Sequence, residues 1–321
     1  MHLLDAETGS MGQFDQQRPS QSASPIMINK LEMFIALARE GHFRKAADSM
    51  NISQPTLSAG IKQLEEQLGV QLVYRGSRFG GLTPEGQTTL GWAQKIVGDA
   101  RQLREEMRVK RHGLSGELRL AVIPTALTWA ARLAAVFMEK HPRVRFTILS
   151  RTSREILEML ENLETDAGIS YLDNEPLGRV ETVQLYDERM VLICDAGNPL
   201  AARPDISWQE LKDQPLALLT PDMQNRRIIN RLSEESGVTP RASIESNSIV
   251  ALTASVSSGR CMTVLPEDIA RFLATGRDLV LVPLRETGRA LPVGLVLPHR
   301  DPRTPVLEAL YQEAQRLDRE T

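Results

Sequence analysis

The sequence predicts an α+β protein of more than one domain: a helical N-terminal domain, one long connecting helix, and a C-terminal α/β domain. Three observations carry this. Apolar residues recur at helical spacing from Asn29 to Leu68. Between Ala93 and Lys110 a single face is marked by steps of 3, 4, 3, 4 and 3 residues. After Gly116, strand-like and helix-like segments alternate to the end of the chain. A chain of 321 residues is long enough for two or three cores, and 41% hydrophobic with 25% charged residues is an ordinary globular composition.

Residues 1–27 are rich in Gln, Ser, Asp and Gly and have no hydrophobic period, so a disordered leader is expected there, with Met27 as an alternative start. They contain no apolar stretch behind basic residues, and no run in the chain approaches the roughly 18 apolar residues of a membrane span. Cys194 and Cys261 are the two cysteines, too few for a disulfide framework. These features lead us to expect a cytoplasmic protein without membrane partners. Net charge is −3, yet Ile28–His112 carries 13 Lys/Arg against 9 Asp/Glu. A basic segment on an otherwise acidic protein suits a polyanionic partner.

Leu31, Phe34, Ile35 and Ala38 form the stripe of a first helix that Gly41 ends. A short second helix over 44–50 turns at Asn51-Ile52-Ser53 into a third. Ser53 is the N-cap of that third helix, and Pro55 sits in its first turn, where a missing N–H costs nothing. Leu57, Ile61, Leu64 and Leu68 share one face, and Gly69 stops the helix. Val70–Leu82, broken by Gly76, Gly80 and Gly81, reads as a hairpin, or wing. Thr83-Pro84 then caps the long helix. The layout is a winged helix-turn-helix over 28–86, followed by a linker helix over 84–112. Ala93, Ile96, Ala100, Leu103 and Met107 are its expected dimerisation seam.

The third helix offers Gln54, Pro55, Thr56, Ser58, Lys62 and Gln63 on the face opposite its apolar stripe. Short hydrogen-bonding side chains and small residues there suit base edges in a major groove. Lys30, Arg44, Lys45, Arg75 and Arg78, with the helix starts at Ser53 and Thr83, suit phosphates of double-stranded DNA. The plain alternative is a solvated helix face of any three-helix domain.

The stretch FIALAREGHFRKAADSMNISQPTLSAGIKQLEEQLG (34–69) resembles the signature of LysR-type transcriptional regulators, and VYRGSRFGGLTPEG (73–86) resembles their wing. The likeness continues through HPRVRFTI and RTSREILEMLENLETDAGIS. Ala59 and Gly60 depart from the Arg and Gln of many members. The resemblance implies a periplasmic-binding-protein-like effector domain over 116–321, with subdomain I at about 116–189 and 291–321 and subdomain II at about 190–290. It also implies operator binding, self-association to dimer and tetramer, contact with RNA polymerase, and control by a small-molecule effector.

Effectors in such folds sit between lobes, near strand C-termini and helix N-termini. Thr125, Thr152, Ser153, Thr220, Ser246, Asn247 and Ser248 lie at such helix starts, with Arg226 and Arg227 nearby. Hydroxyls, helix N-termini and an arginine pair suit a small carboxylate or other anion. Each hydroxyl is also explained by capping alone. A thiol-based redox sensor using Cys194 and Cys261 is the alternative, although both lie among apolar residues, where inert thiols are expected. The five histidines form no metal spacing, and no P-loop, GxGxxG after a strand, HExxH or nucleophile elbow occurs. Neither metal, cofactor nor enzymatic activity is expected.

Overall fold

The computed structural model describes residues 24–74, 79–173, 175–285, 291–299 and 302–320. It separates into two compact units, Met1–Ala93 and Gln94–Thr321.

In the first unit, α1 (Ser24–Glu40), α2 (Phe43–Ser49) and α3 (Gln54–Leu68) pack against one another. Helix α1 begins at Ser24, so 24–27 are helical rather than part of a leader; residues 1–23 lie outside the described residues. Leu31, Phe34 and Leu37 of α1 meet Ala46 and Ala47 of α2 and Leu57, Ile61 and Leu64 of α3 in the core. Gly41 and Gly69 take φ values of +58° and +70°, the left-handed conformation that ends a helix without a Cβ clash.

The wing closes through an antiparallel bridge between Val73 and Leu82, while 75–78 lie outside the described residues. Its base is held by Glu65, an acid on the inner face of α3 that is 5% exposed. The Glu65 carboxylate accepts the N–H of Leu72 at 2.9 Å and of Val73 at 3.4 Å. Buried backbone donors need such a partner because water cannot reach them. Helix α4 (Pro84–His112) starts close against this base: a Cβ on Gly86 would fall 2.0 Å from the Leu72 carbonyl oxygen.

Along α4, Trp92, Ile96, Leu103 and Met107 are 61%, 39%, 59% and 43% exposed, and Ala100 is half-buried. Ala93 is fully buried and does not belong to that stripe. It lies about 20° round the helix from Ala100, at the edge where α4 packs against its own chain. Trp92 takes the place that the 3–4 spacing assigned to Ala93.

The second unit has two lobes. Lobe I is a five-stranded sheet in the order β2-β1-β3-β10-β4. Its strands are β1 (Gly116–Val122), β2 (Val144–Ser150), β3 (Ala167–Tyr171), β4 (Val180–Glu188) and β10 (Leu291–Pro298). It is packed by α5 (Leu127–Lys140), α6 (Ser153–Glu161) and α10 (Pro305–Glu320). Lobe II holds β5 (Met190–Asp195), β6 (Leu216–Leu219), β7 (Ala242–Ser246), β8 (Thr263–Pro266) and β9 (Leu279–Pro283). They pair as β8-β5-β9 and as parallel β6-β7, joined by a bridge from Leu216 to Met262. Helices α7 (Gln224–Glu235), α8 (Ile249–Val256) and α9 (Glu267–Ala274) flank them.

Sequence alternation gives no strand at β4, and the structure shows why. A register shift against β10 between Val293 and Gly294 puts Val183, Leu185, Tyr186 and Glu188 all inward, which breaks the period of two. Gly294 permits the close approach, since a Cβ there would lie 2.2 Å from the Val183 carbonyl oxygen.

Replacing Glu65 by Ala strands two backbone donors at the wing base. A loss of about 2–3 kcal/mol in urea unfolding is expected, with Glu65→Gln losing less because one acceptor oxygen remains. An unchanged midpoint for Glu65→Ala contradicts the anchoring role.

Candidate nucleic-acid interface and ligand cleft

Helix α3 divides cleanly. Leu57, Gly60, Ile61, Leu64 and Glu65 are buried, and Gln54, Pro55, Thr56, Ser58, Ala59, Lys62 and Gln63 are exposed. Gly60 faces inward against Met33, so its departure from the family pattern leaves the outer face untouched. Ser53 caps the helix by accepting the N–H of Thr56 at 3.3 Å, and its hydroxyl lies 2.8 Å from that of Thr56. Lys62 pairs loosely with Glu66 at 3.6 Å, both well exposed. Arg44 and Lys45 on α2 are exposed too.

Two expected phosphate contacts are not presented. Lys30 is 6% exposed. With Phe34 and Leu37 it falls at i, i+4 and i+7, so it extends the inner face of α1 by one turn. Thr83 is 5% exposed, and its hydroxyl donates to the Gln71 carbonyl at 2.6 Å while accepting the Gly86 N–H at 2.9 Å. Its hydrogen-bonding capacity is spent on joining wing to helix. Arg75 and Arg78 lie outside the described residues.

Between the lobes of the second unit runs a cleft of about 1540 Å³. Of the residues expected there, Thr152, Arg227, Asn247 and Ser248 line it. Thr152 closes a capping box with Glu155, and Ser248 caps α8. Arg227 reaches Glu175 at 2.6 Å and the carbonyls of Pro221 and Asp222. The remaining five do not line it. Arg226 is 7% exposed and is committed to Glu245 at 2.7 Å, the Leu219 carbonyl at 2.8 Å and Asn230 at 2.9 Å. It is a brace inside lobe II, because the two arginines lie about 100° apart on α7 and only one can face the cleft. Ser246 accepts the Ser248 N–H within its own turn. Thr125 and Ser153 are buried, and the Thr220 hydroxyl is buried as well; among the described residues the Ser153 and Thr220 oxygens have no hydrogen-bond partner, and the Thr125 hydroxyl faces Glu188. They form a layer behind the lining residues Pro124, Arg154 and Pro221.

The cleft also holds cations that capping arguments overlooked. Arg132, Arg151, Arg154, Arg227 and Arg271 line it, against Glu155, Asp222 and Asp268. Arg132 faces Asp268 at 3.9 Å, and Arg271 is paired with Glu267. Arg151 donates to its neighbour's carbonyl, and among the described residues neither it nor Arg154 has a carboxylate partner. Both flank the N-terminus of α6, where backbone N–H groups add positive potential. The signal in the sequence was an Arg-x-x-Arg spacing around the Thr152-Ser153 cap. Thr128 of α5 donates to Asp268 of α9 at 2.7 Å, one direct bond between the lobes.

Cys194 and Cys261 are free and buried, and burial pushes both thiols up. Reactive cysteines have the opposite shift. Among the described residues no group of three His, Cys, Asp or Glu side chains can hold a metal ion, and no helix is long and apolar enough to cross a membrane.

Residues 28–87 match the bacterial regulatory helix-turn-helix family of lysR type, and residues 111–318 match the LysR substrate binding domain. The chain belongs to the LysR family. The HTH-type transcriptional regulator XapR of Escherichia coli is 27% identical over 260 residues, covering 81% of this chain and 88% of that protein. The dual regulator OxyR of the same organism is 29% identical over 240 residues, covering 74% and 78%. A full-length single-site variant of OxyR from Pseudomonas aeruginosa superposes with a TM-score of 0.69 at 26% identity, covering 90% of this chain and 94% of that one. CbnR bound to its target DNA shares the fold, with a TM-score of 0.59 at 21% identity over 90% and 99% of the two chains. This LysR-type regulator therefore joins a helix-turn-helix domain to an effector-binding domain of two lobes.

Its two thiols are expected to react with a chromogenic disulfide about ten-fold or more slowly in the native protein than in urea, as buried protonated thiols do. Equal rates in both states contradict the inert assignment.

Proposed function

We propose that this LysR-type regulator binds operator duplex as paired dimers through the outer face of α3 and is switched by a small anionic effector in the interlobe cleft. One observation carries the DNA reading: α3 turns Leu57, Gly60, Ile61 and Leu64 inward, leaving Gln54, Thr56, Ser58, Lys62 and Gln63 exposed on a helix of groove-fitting width. Arg44 and Lys45, together with Arg75 and Arg78, serve phosphates. The exposed stripe Trp92, Ile96, Ala100, Leu103 and Met107 is the pairing seam of α4. Four apolar side chains in water on one helix face gain by meeting a second copy. A tetramer, a site for RNA polymerase and residence in the cytoplasm complete the reading.

The effector reading rests on Arg151 and Arg154 at the start of α6, facing across the cleft toward the α8 start with Asn247 and Ser248. Two arginines lacking a carboxylate beside a helix N-terminus favour an anion. Leu127, Met223, Ile249, Val250 and Phe272 give the same cleft an apolar wall for the rest of the ligand. The redox alternative has less support, because both thiols are buried and pushed away from the reactive thiolate.

Footprinting upstream of the gene supplies the operator. Gln63→Ala is expected to relax base preference by about 1–3 kcal/mol, while Lys62→Ala, if it meets phosphate, lowers the salt slope by about one. A wild-type protein that ignores duplex DNA at low ionic strength overturns the DNA reading. For the cleft, a thermal-shift panel of small carboxylates should contain a stabilising acid, since a ligand at 100 times its Kd adds about 2.7 kcal/mol. Arg154→Gln should lose that shift and keep operator binding. A full shift in Arg154→Gln places the anion elsewhere.

A further inference from the structure

Near Pro124 lies a buried polar cluster that the effector reading does not use. Glu188 ends β4 and pairs with Leu291, the first residue of β10, while β5 begins two residues later at Met190. The Leu284 N–H donates to the Met190 carbonyl at 3.3 Å. The carboxyl group thus sits where both chain crossings between the lobes meet. It is 4% exposed.

Its partners bridge the lobes. Tyr171 of β3 donates to one carboxyl oxygen at 2.6 Å, and Tyr186 of β4 to the other at 3.3 Å. The Tyr171 hydroxyl accepts from Asn225 of α7, in lobe II, at 3.0 Å. Trp129 of α5 stacks flat on Tyr186 at 4.5 Å. Thr125 faces it from the turn after β1, and Asp268 of α9 is the charged group that acts on it from lobe II. Asp268 is itself engaged by Thr128 and Arg132. Arg189, next along the chain, is exposed. Among the described residues no cation bonds to Glu188.

A carboxylate buried without a cation is costly, so the neutral acid is favoured. Burial pushes the Glu188 carboxyl up to about 8, with Asp268 adding to the rise and the hydroxyls of Tyr171, Tyr186 and Thr125 opposing it. Ionised, it keeps the hydrogen bonds donated by Tyr171 and Tyr186, but these and the Thr125 hydroxyl must hold a full charge away from water, a cost that separation of the lobes relieves.

We propose that Glu188 is a proton-bearing latch of the interlobe hinge, tying lobe I to Asn225 of lobe II as the neutral acid and loosening that tie when it ionises. Lobe movement and proton exchange are then one event. Separation of the lobes admits water and releases a proton; reunion takes it up. Any ligand that favours joined lobes binds more tightly below the pKa of Glu188 than above it, by linkage. This goes beyond the effector reading and does not depend on it.

The sign follows from the shift. The unfolded carboxyl titrates near 4.3 and the folded one at about 8, so the folded state holds the extra proton between these values. Wild-type stability falls as pH rises through that window and levels off above it. Thermal unfolding of the full chain tests this against Glu188→Gln, which carries no such proton. The difference in Tm between the variant and wild type should move steadily in the variant's favour across the window. A constant difference overturns the proposal, because a merely structural role predicts an offset without a pH profile. Amide exchange at 188–190 and 284–285, corrected for its intrinsic pH dependence, should quicken above the transition in wild type but not in the variant; equal pH dependence in both also overturns it. Should Glu188→Gln fail to fold, infrared spectroscopy of the wild type decides. A protonated-carboxyl band at neutral pH that shifts in Tyr171→Phe is expected, and its absence refutes the latch.

Discussion

The chain passes between its two lobes at Glu188–Met190 and again between Pro283 and Leu291, and the properties of the cleft follow from those two passages. Strands β4 and β10 bring them side by side, so the lobes are joined where these strands end. The Thr128–Asp268 bond also links the lobes, with Asp268 near enough to act on Glu188, and the crossings are lined by the Asn225–Tyr171–Glu188 chain of hydrogen bonds. The cleft is lined by helix starts from both lobes, which is where positive backbone potential collects. Differential contact with two lobes is what lets a small molecule bias their arrangement.

Much of this architecture was legible because it rests on periodicity. The inner face of α3 follows from Leu57, Ile61 and Leu64, and once that face is assigned the outer one is assigned too. The ends of α1, α3 and α4 follow from Gly41, Gly69 and Gly113, each at positive φ. Caps read equally well: Ser53, Thr152 and Ser248 all hold helix N-termini.

What escaped was decided by tertiary packing. Lys30, Glu65 and Arg226 are polar residues on inner faces, and composition alone assigns such residues to solvent or ligand. Each is held by what surrounds it, and for Glu65 and Arg226 the holding partners are backbone groups or an acid distant in sequence. Ala93 illustrates the converse, since a small apolar residue fits either a seam or a close contact with its own chain. Thr125 and Thr220 stand one residue behind the cleft lining, a distinction finer than any helix-start rule. Arg151 and Arg154 follow neither a period nor a capping rule, and only their spacing around the Thr152-Ser153 cap marks them.

The placement of β10 has a consequence for biosynthesis. This strand lies between β3 and β4, bonded to both, yet among the described strands it is the last to be made. Until residues 291–298 leave the ribosome, β3 and β4 each present an unpaired edge, and the side chains that β10 covers have no neighbour. Lobe II, made from one uninterrupted stretch, can close while lobe I waits. An unfinished sheet of this kind is a template for mispairing between nascent chains, so the interval between synthesis of β4 and release of the C-terminus is when this regulator most needs a holdase chaperone.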